Sequence, residues 1–282
     1  MSIRSKAEIL LVLVTFFWGA TFVIVKQALI NASPLVFIAG RFTLAGVALF
    51  CALGWRRLER RRLGAALVLG FLLFLGYVFQ TWGQEYTTPS KCAFITGFSV
   101  VLVPLIMALM GERLRVASVA GAAFGFAGIY FLVSPSGHDP INRGDMLTLV
   151  GAVAFAIYII WVGAYAKRYS FVELAPAQII VVGFLAYIVL PFDPHRRFNL
   201  TVGLAGAIAV TAIFATAFAF AVQNWAQRYI PASHAALIFA LEPVFAALTS
   251  FWVLNERLGG RVLLGSALVL AGIMVSEEWV GT

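Results

Sequence analysis

The chain has 282 residues, 62% of them hydrophobic and 14% aromatic, and only 11% charged, whereas a soluble domain carries about 25% charge. With a mean hydropathy of +0.97, it lacks the polar surface that a water-soluble fold of this length requires. It reads as an all-helical membrane protein, and the net charge of +8, placed mainly beside apolar runs, reads as a topology signal rather than a nucleic-acid footprint.

Apolar runs bounded by charge, Pro or Gly predict ten spans, at 7–27, 34–53, 64–83, 89–110, 116–133, 145–165, 174–190, 201–225, 232–254 and 260–279. Ten spans use about 200 residues and leave roughly 80 for loops and termini. That remainder holds no ATPase domain, and no G-x-x-x-x-G-K-[ST] phosphate loop occurs. The first run is long, lacks a small-residue cleavage site and is followed by nine others, so it is not read as a signal peptide. Cys51 and Cys92 make no disulfide framework, and His138, His195 and His234 sit in no metal motif, so no cofactor is expected.

Loop bases set the direction. With the N-terminus in the cytoplasm, twelve bases fall inside, among them Arg56, Arg57, Arg60, Arg61 and Arg62. Five fall outside: Arg143, Arg196, Arg197, Arg257 and Arg261. This positive-inside bias and the even span count place both termini in the cytoplasm, with Cys51 and Cys92 on opposite faces.

The chain also repeats. At an offset of 143 residues, Gln80, Trp82, Gln84, Tyr86, Ser90 and Ala93 match Gln223, Trp225, Gln227, Tyr229, Ser233 and Ala236, six identities in fourteen positions. After one inserted residue, Glu112-Arg113-Leu114 aligns with Glu256-Arg257-Leu258, Gly121 with Gly265, and Ala127-Gly128-Ile129 with Ala271-Gly272-Ile273. Five spans per copy is an odd number, so the second copy, 135–282, enters the membrane opposite to the first, 1–134. Many secondary transporters are built this way, with the substrate near the midplane between the repeats.

These residues resemble a known family. Trp18-Gly19-Ala20-Thr21-Phe22, Pro34, Arg41-Phe42, Ala93-Phe94-Ile95-Thr96-Gly97, Pro104 and Gly111-Glu112-Arg113-Leu114 are similar to bacterial drug/metabolite transporters of the EamA type. So are Leu241-Glu242-Pro243 and Asn255-Glu256-Arg257-Leu258. The resemblance implies ten helices in two inverted five-helix repeats around a central cavity. It also implies a cavity lined mainly by helices one, three, four, six, eight and nine, and export of small metabolites, often amino acids, from a bacterial inner membrane. One departure is that Pro104 precedes Glu112 by eight residues whereas Pro243 precedes Glu256 by thirteen, which argues against two interchangeable halves.

Glu242 is the sharpest candidate. An ionised group at the bilayer centre costs about 2.5–3.5 kcal/mol, so it should face protein or water. There it can carry a proton or meet a substrate ammonium, or it can simply be a buried, hydrogen-bonded carboxyl. Arg41 in the second span can hold a carboxylate or pair with a helix end. Gln80, Gln84, Gln223, Gln227 and Asn224 form matched amide sets that either bind substrate or join helices. Trp18, Tyr77, Tyr158 and Trp161 lie deep enough to stack on a substrate, whereas Trp82 and Trp225 suit the interfacial belt. Gln178 reads as peripheral glue, Lys26 and Lys91 as snorkelling side chains, His234 as a helix-end residue, and Gly121 with Gly125 as a G-x-x-x-G packing or dimer pair.

The expected substrate-contact set is therefore Glu242, Trp18, Tyr77, Gln80, Tyr158, Trp161, Gln223, Asn224 and Arg41. The expected function is a secondary transporter, not an enzyme, exporting amino acids or related metabolites by alternating access as a monomer or homodimer. Its partners would be a small molecule and the lipid bilayer. The alternatives are cationic drug efflux, metabolite uptake, and a non-transporting enzyme or scaffold.

Overall fold

The computed structural model describes residues 1–54, 60–113, 116–133, 141–193, 195–254 and 260–278. The Glu256-Arg257-Leu258 corner, Leu114, His138 and the repeat boundary at 134/135 lie outside them. The elements are α1 (Ile3–Ala28), α2 (Pro34–Leu53), α3 (Arg60–Tyr86), α4 (Pro89–Gly97), α5 (Ser99–Leu109), α6 (Val116–Val133), α7 (Arg143–Ala166) and α8 (Phe171–Val189). After a short 3-10 turn come α9 (Val202–Ala212), a π turn (Ile213–Phe218), α10 (Ala219–Ala226), α11 (Ala232–Phe239), α12 (Glu242–Leu254) and α13 (Gly260–Glu278). Among the described residues, backbone pairing between extended segments is limited to one isolated bridge, Ala32 to Phe198.

Among the described residues, eight helical stretches are long and apolar enough to cross a membrane: Ile3–Ala28, Pro34–Leu53, Arg62–Tyr86, Lys91–Leu109, Arg143–Ala166, Phe171–Phe192, Val202–Ala226 and Ala232–Thr249. Two shorter apolar helices, Val116–Phe131 and Leu263–Val275, accompany them. Helix ends are capped by local side chains, which matters where exposed backbone groups would meet lipid. Ser2, Thr88, Ser170 and Thr201 accept from backbone N–H groups of α1, α4, α8 and α9. Asn142 and Asp145 form a reciprocal capping box at the start of α7. At the far end of α5, Gly111 adopts a φ of 85°. Its N–H donates to Ala108 O at 2.9 Å, and that of Glu112 donates to Met107 O at 3.0 Å. This is a Schellman stop, and it gives the Gly-Glu corner a structural reason.

Two apolar stretches are broken near their middles, and the breaks match. The Phe98 N–H donates three residues back to Ile95 O at 3.1 Å, parting α4 from α5. Leu241, 143 residues later, donates three residues back to Ile238 O at 3.0 Å, parting α11 from α12. The prolines Pro104 and Pro243 do not match, yet each stretch shows the same three-residue bond at its break, and Pro243, lacking an N–H, adds to the second one.

Helices α3 and α7, α2 and α8, and α6 and α13 form the closest pairs, and α1 packs on α10 and α12. The α6–α13 contact is made by glycine: a Cβ on Gly128 would lie 2.6 Å from Gly265 O, and one on Gly272 would lie 2.7 Å from Gly121 O and 3.1 Å from Gly125 N. The Gly121–Gly125 pair therefore packs within the chain. At the end where α1 and α3 finish, Lys26 Nζ donates to Gln84 O, Glu85 O and Thr87 O at 2.6, 3.1 and 3.0 Å. Arg197 bonds Leu29 O at 2.9 Å and Glu85 at 3.2 Å beside the isolated bridge. Lys91 pairs with Asp145 at 2.7 Å at the start of α4 and α7. At the other end Arg62 pairs with Glu173, and His234 stands 3.4 Å from Glu8. Cys51, exposed, and Cys92, buried, are both free thiols.

Candidate substrate cavity

The helices line a part-open cavity whose water-accessible volume is about 70 Å³. Helix α1 contributes Trp18, Thr21, Phe22 and Val25, α2 contributes Arg41, and α3 contributes Tyr77, Gln80, Thr81 and Gln84. Thr96, Ser99 and Glu242 flank the two helix breaks, Phe155, Tyr158 and Ile159 come from α7, and Phe220, Gln223 and Phe239 complete the wall.

Seven of the nine expected residues thus converge: Glu242, Trp18, Tyr77, Gln80, Tyr158, Gln223 and Arg41. Two do not. Trp161 is 36% exposed, with its ring 5.3 Å from that of Tyr165, and lies outside the lining. Asn224 is buried on α10 but turned into its own helix, donating to Phe220 O at 2.8 Å. Gln178, expected at the periphery, is fully buried and accepts from the Tyr158 hydroxyl at 2.9 Å.

The charges are held very differently. Arg41, 4% exposed, donates through Nε to Thr216 Oγ1 at 2.6 Å and through Nη2 to Ala215 O at 3.0 Å and Tyr77 Oη at 3.2 Å. Its guanidinium carbon also lies 4.7 Å from the Tyr77 ring centroid, a cation–π distance. The Glu242 carboxyl, 8% exposed, makes no hydrogen bond or ion pair with any described residue. Its helix starts at the break, and Pro243 has no N–H to continue the preceding turn.

The neutral part of the wall is aromatic and amide. Trp18 packs at 5.1 Å on Phe239 and 5.6 Å on Phe220, while Tyr77 meets Phe155 edge-on at 5.4 Å. The Trp18 indole N–H donates to Ala215 O at 2.9 Å, the carbonyl Arg41 also uses. Gln80 donates to Thr96 Oγ1 at 2.9 Å. Gln84 donates across to Phe22 O of α1 at 2.7 Å, and Gln227, 143 residues later, donates across to Ile159 O of α7 at 2.8 Å. Gln223 donates to Gln227 Oε1 at 2.9 Å, and its own buried Oε1 has no partner among the described residues.

Phe155, Phe220, Phe239, Thr96, Ser99 and Thr216 did not stand out in the sequence. The 143-residue offset would have found two of them, since Phe220 answers Tyr77 and Ser99 answers Glu242. Chemically, the cavity joins a carboxyl with no partner among the described residues, a fixed guanidinium and aromatic walls, and so offers a place for a small molecule carrying both a cationic and an anionic group.

Residues 5–134 and 142–276 match the EamA-like transporter family. The chain is 36% identical over 276 residues to an uncharacterized transporter of Archaeoglobus fulgidus, covering 96% of this chain and 86% of that one. It is 26% identical over 277 residues to a probable terminal-alkyne amino-acid exporter of Streptantibioticus cattleyicolor, covering 96% and 93%. A protein solved by crystallography shares the fold with a TM-score of 0.80 at 20% identity, covering 97% of this chain and 98% of that one.

Proposed function

The chain belongs to the EamA-like transporter family, and from that premise we propose that it is a secondary transporter exporting small metabolites, amino acids foremost. The observation that carries the reading is the pairing of Arg41 with Glu242 on one aromatic-walled cavity: the first is fixed by neighbours and the second has no partner among the described residues. A zwitterion satisfies both groups, with its carboxylate at Arg41, its ammonium at Glu242 and its side chain among Trp18, Phe220 and Phe239. Gln80 and Gln223 then fix orientation. The exporter among the relatives, named for an amino acid, supports the same substrate class.

The proposal includes ten membrane crossings in two inverted five-helix repeats, 1–134 and 135–282, with both termini in the cytoplasm of a bacterial inner membrane. Three paired features support the repeats. The Gln84–Phe22 and Gln227–Ile159 bonds answer each other, as do the breaks at Phe98 and Leu241. The glycine contacts at α6–α13 exchange partners under the repeat, Gly128 on Gly265 and Gly272 on Gly121. The repeats supply a rocking frame for alternating access. The charges break its symmetry, since Ser99 stands where Glu242 has its counterpart. The proposed working unit is a monomer or a homodimer.

The acid on the cavity wall also favours a second reading, efflux of cations without a carboxylate. A thermal-stability screen of amino acids, their decarboxylated amines and nucleobases on purified protein separates the two, because a ligand at 100 times its Kd adds about 2.7 kcal/mol to the folded state. Stabilisation by amino acids above their amines supports the zwitterion reading. Stabilisation by amines alone replaces it with cation efflux.

A further inference from the structure

Two groups of the π turn Ile213–Phe218, Thr216 Oγ1 and Ala215 O, both accept from Arg41. A guanidinium has five N–H donors in a rigid fork. Three of Arg41's are taken along the Nε–Nη2 edge, by Thr216 Oγ1, Ala215 O and Tyr77 Oη. Both Nη1 donors are without a partner among the described residues.

Thr216 can make this contact because of the π register. Thr15 and Thr211 sit in ordinary helix and return their hydroxyls four residues back, to Leu11 O and Ala207 O, each at 2.7 Å. Such back-bonding is the usual fate of a helical threonine. Thr216 instead donates five residues back, to Thr211 O at 2.9 Å. With its proton committed there, the hydroxyl oxygen is fixed as an acceptor, and Arg41 Nε meets it at 2.6 Å. Trp18 holds the adjoining Ala215 carbonyl from the other helix. π turns of this kind recur at functional sites, and here the turn works as a bracket for one cation.

We propose that Thr216 is a positioning residue that aims Arg41, so that only Nη1 is presented to the cavity and substrates bearing a carboxylate are selected over the same molecules without one. The proposal rests on the reading of the cavity as an amino-acid site. Selection follows because a ligand lacking the carboxylate leaves a buried, fixed donor pair unpaired, the arrangement that gives polar sites their largest discrimination. Freed from Thr216, the guanidinium can turn to other acceptors, and that penalty falls.

The test uses purified full-length protein, the twenty common L-amino acids as probes, and for each binder its decarboxylated amine. Wild type should prefer at least one amino acid over its amine by tenfold or more. Thr216→Ser, which keeps the hydroxyl, should hold that preference within threefold. Thr216→Val should reduce it below threefold by weakening the amino acid while leaving amine affinity unchanged. A fall in both affinities together marks a merely structural role and overturns the proposal, as does an unchanged preference in Thr216→Val. Thr216→Ala provides the same comparison if the valine variant does not fold. If no amino acid binds wild type, the reading of the cavity fails first, and this proposal fails with it.

Discussion

Gly19 of α1 lies directly against the backbone of Glu242: a Cβ at Gly19 would stand 2.5 Å from the Glu242 carbonyl oxygen and 2.9 Å from Phe245 Cβ. The first helix therefore seats the break that carries the cavity's acid. Gly19→Ala should cost about 1–3 kcal/mol in stability, the usual price of overpacking, and should lower transport by shifting Glu242. Gly206→Ala is the control, because a Cβ there meets nothing within 4 Å, and it should leave melting temperature and transport unchanged or slightly improved. Thermal unfolding and transport of the two variants side by side check this. Equal behaviour would show that the α1 contact does not matter.

Glu242 is a buried acid with no described partner, so it opposes folding rather than supporting it. Glu242→Gln keeps the shape and removes the charge. It should unfold at the same or a higher temperature while losing at least tenfold in affinity for substrates with an ammonium group. A variant that loses stability by more than about 1 kcal/mol, within the usual range for a lost hydrogen bond, would reveal a structural partner for the carboxylate.

The bridging amides give a graded prediction. Gln84→Leu removes one bond between helices, to Phe22 O, and should cost about 0.6–2 kcal/mol. Gln227→Leu removes the matching bond to Ile159 O and also strips Gln223 of the acceptor it uses at 2.9 Å. It should cost more, because a buried donor is left unsatisfied. Chemical or thermal unfolding of both variants checks the order.

How much of this was legible in the sequence follows from what lipid does to patterning. Charge, Pro and Gly marked the helix ends, because a chain must satisfy its backbone before leaving the membrane. The helix starts at Pro34, at Thr88-Pro89 and at Asn142 fall within three residues of the sequence-derived ends. Glu242 and Arg41 were legible for the same reason, since a charge inside an apolar run is conspicuous. What did not show was which way each apolar side chain points. Inside and outside of the bundle are both greasy, so the periodicity that orients a helix in a soluble protein is missing. That is why Trp161, placed in the cavity by depth, lies outside it, and why Phe155, Phe220 and Phe239 were lost among twenty-five phenylalanines. The π turn was invisible for another reason. Ile213-Phe214-Ala215-Thr216-Ala217-Phe218 contains neither Gly nor Pro, and what answers its register, Arg41 and Trp18, comes from helices more than 170 residues earlier in the chain.

Topology can be read from two positions. Ile30, in the turn between α1 and α2, is exposed, and Cys51, near the far end of α2, is exposed as well. In intact cells a membrane-impermeant maleimide should label Ile30→Cys and should reach Cys51 only after permeabilisation. The opposite pattern would invert the chain and reverse the positive-inside assignment.

On the proposed reading, one cavity with Arg41 and Glu242 on its wall moves a zwitterion across the membrane. Counterflow of radiolabelled amino acids into proteoliposomes measures that movement. At least one amino acid should accumulate with the wild-type protein, and its decarboxylated amine should compete at least tenfold more weakly. Arg41→Met and Glu242→Gln should each abolish the signal while the purified proteins remain folded. Counterflow that survives both substitutions, or no counterflow for any of the twenty, would contradict the account.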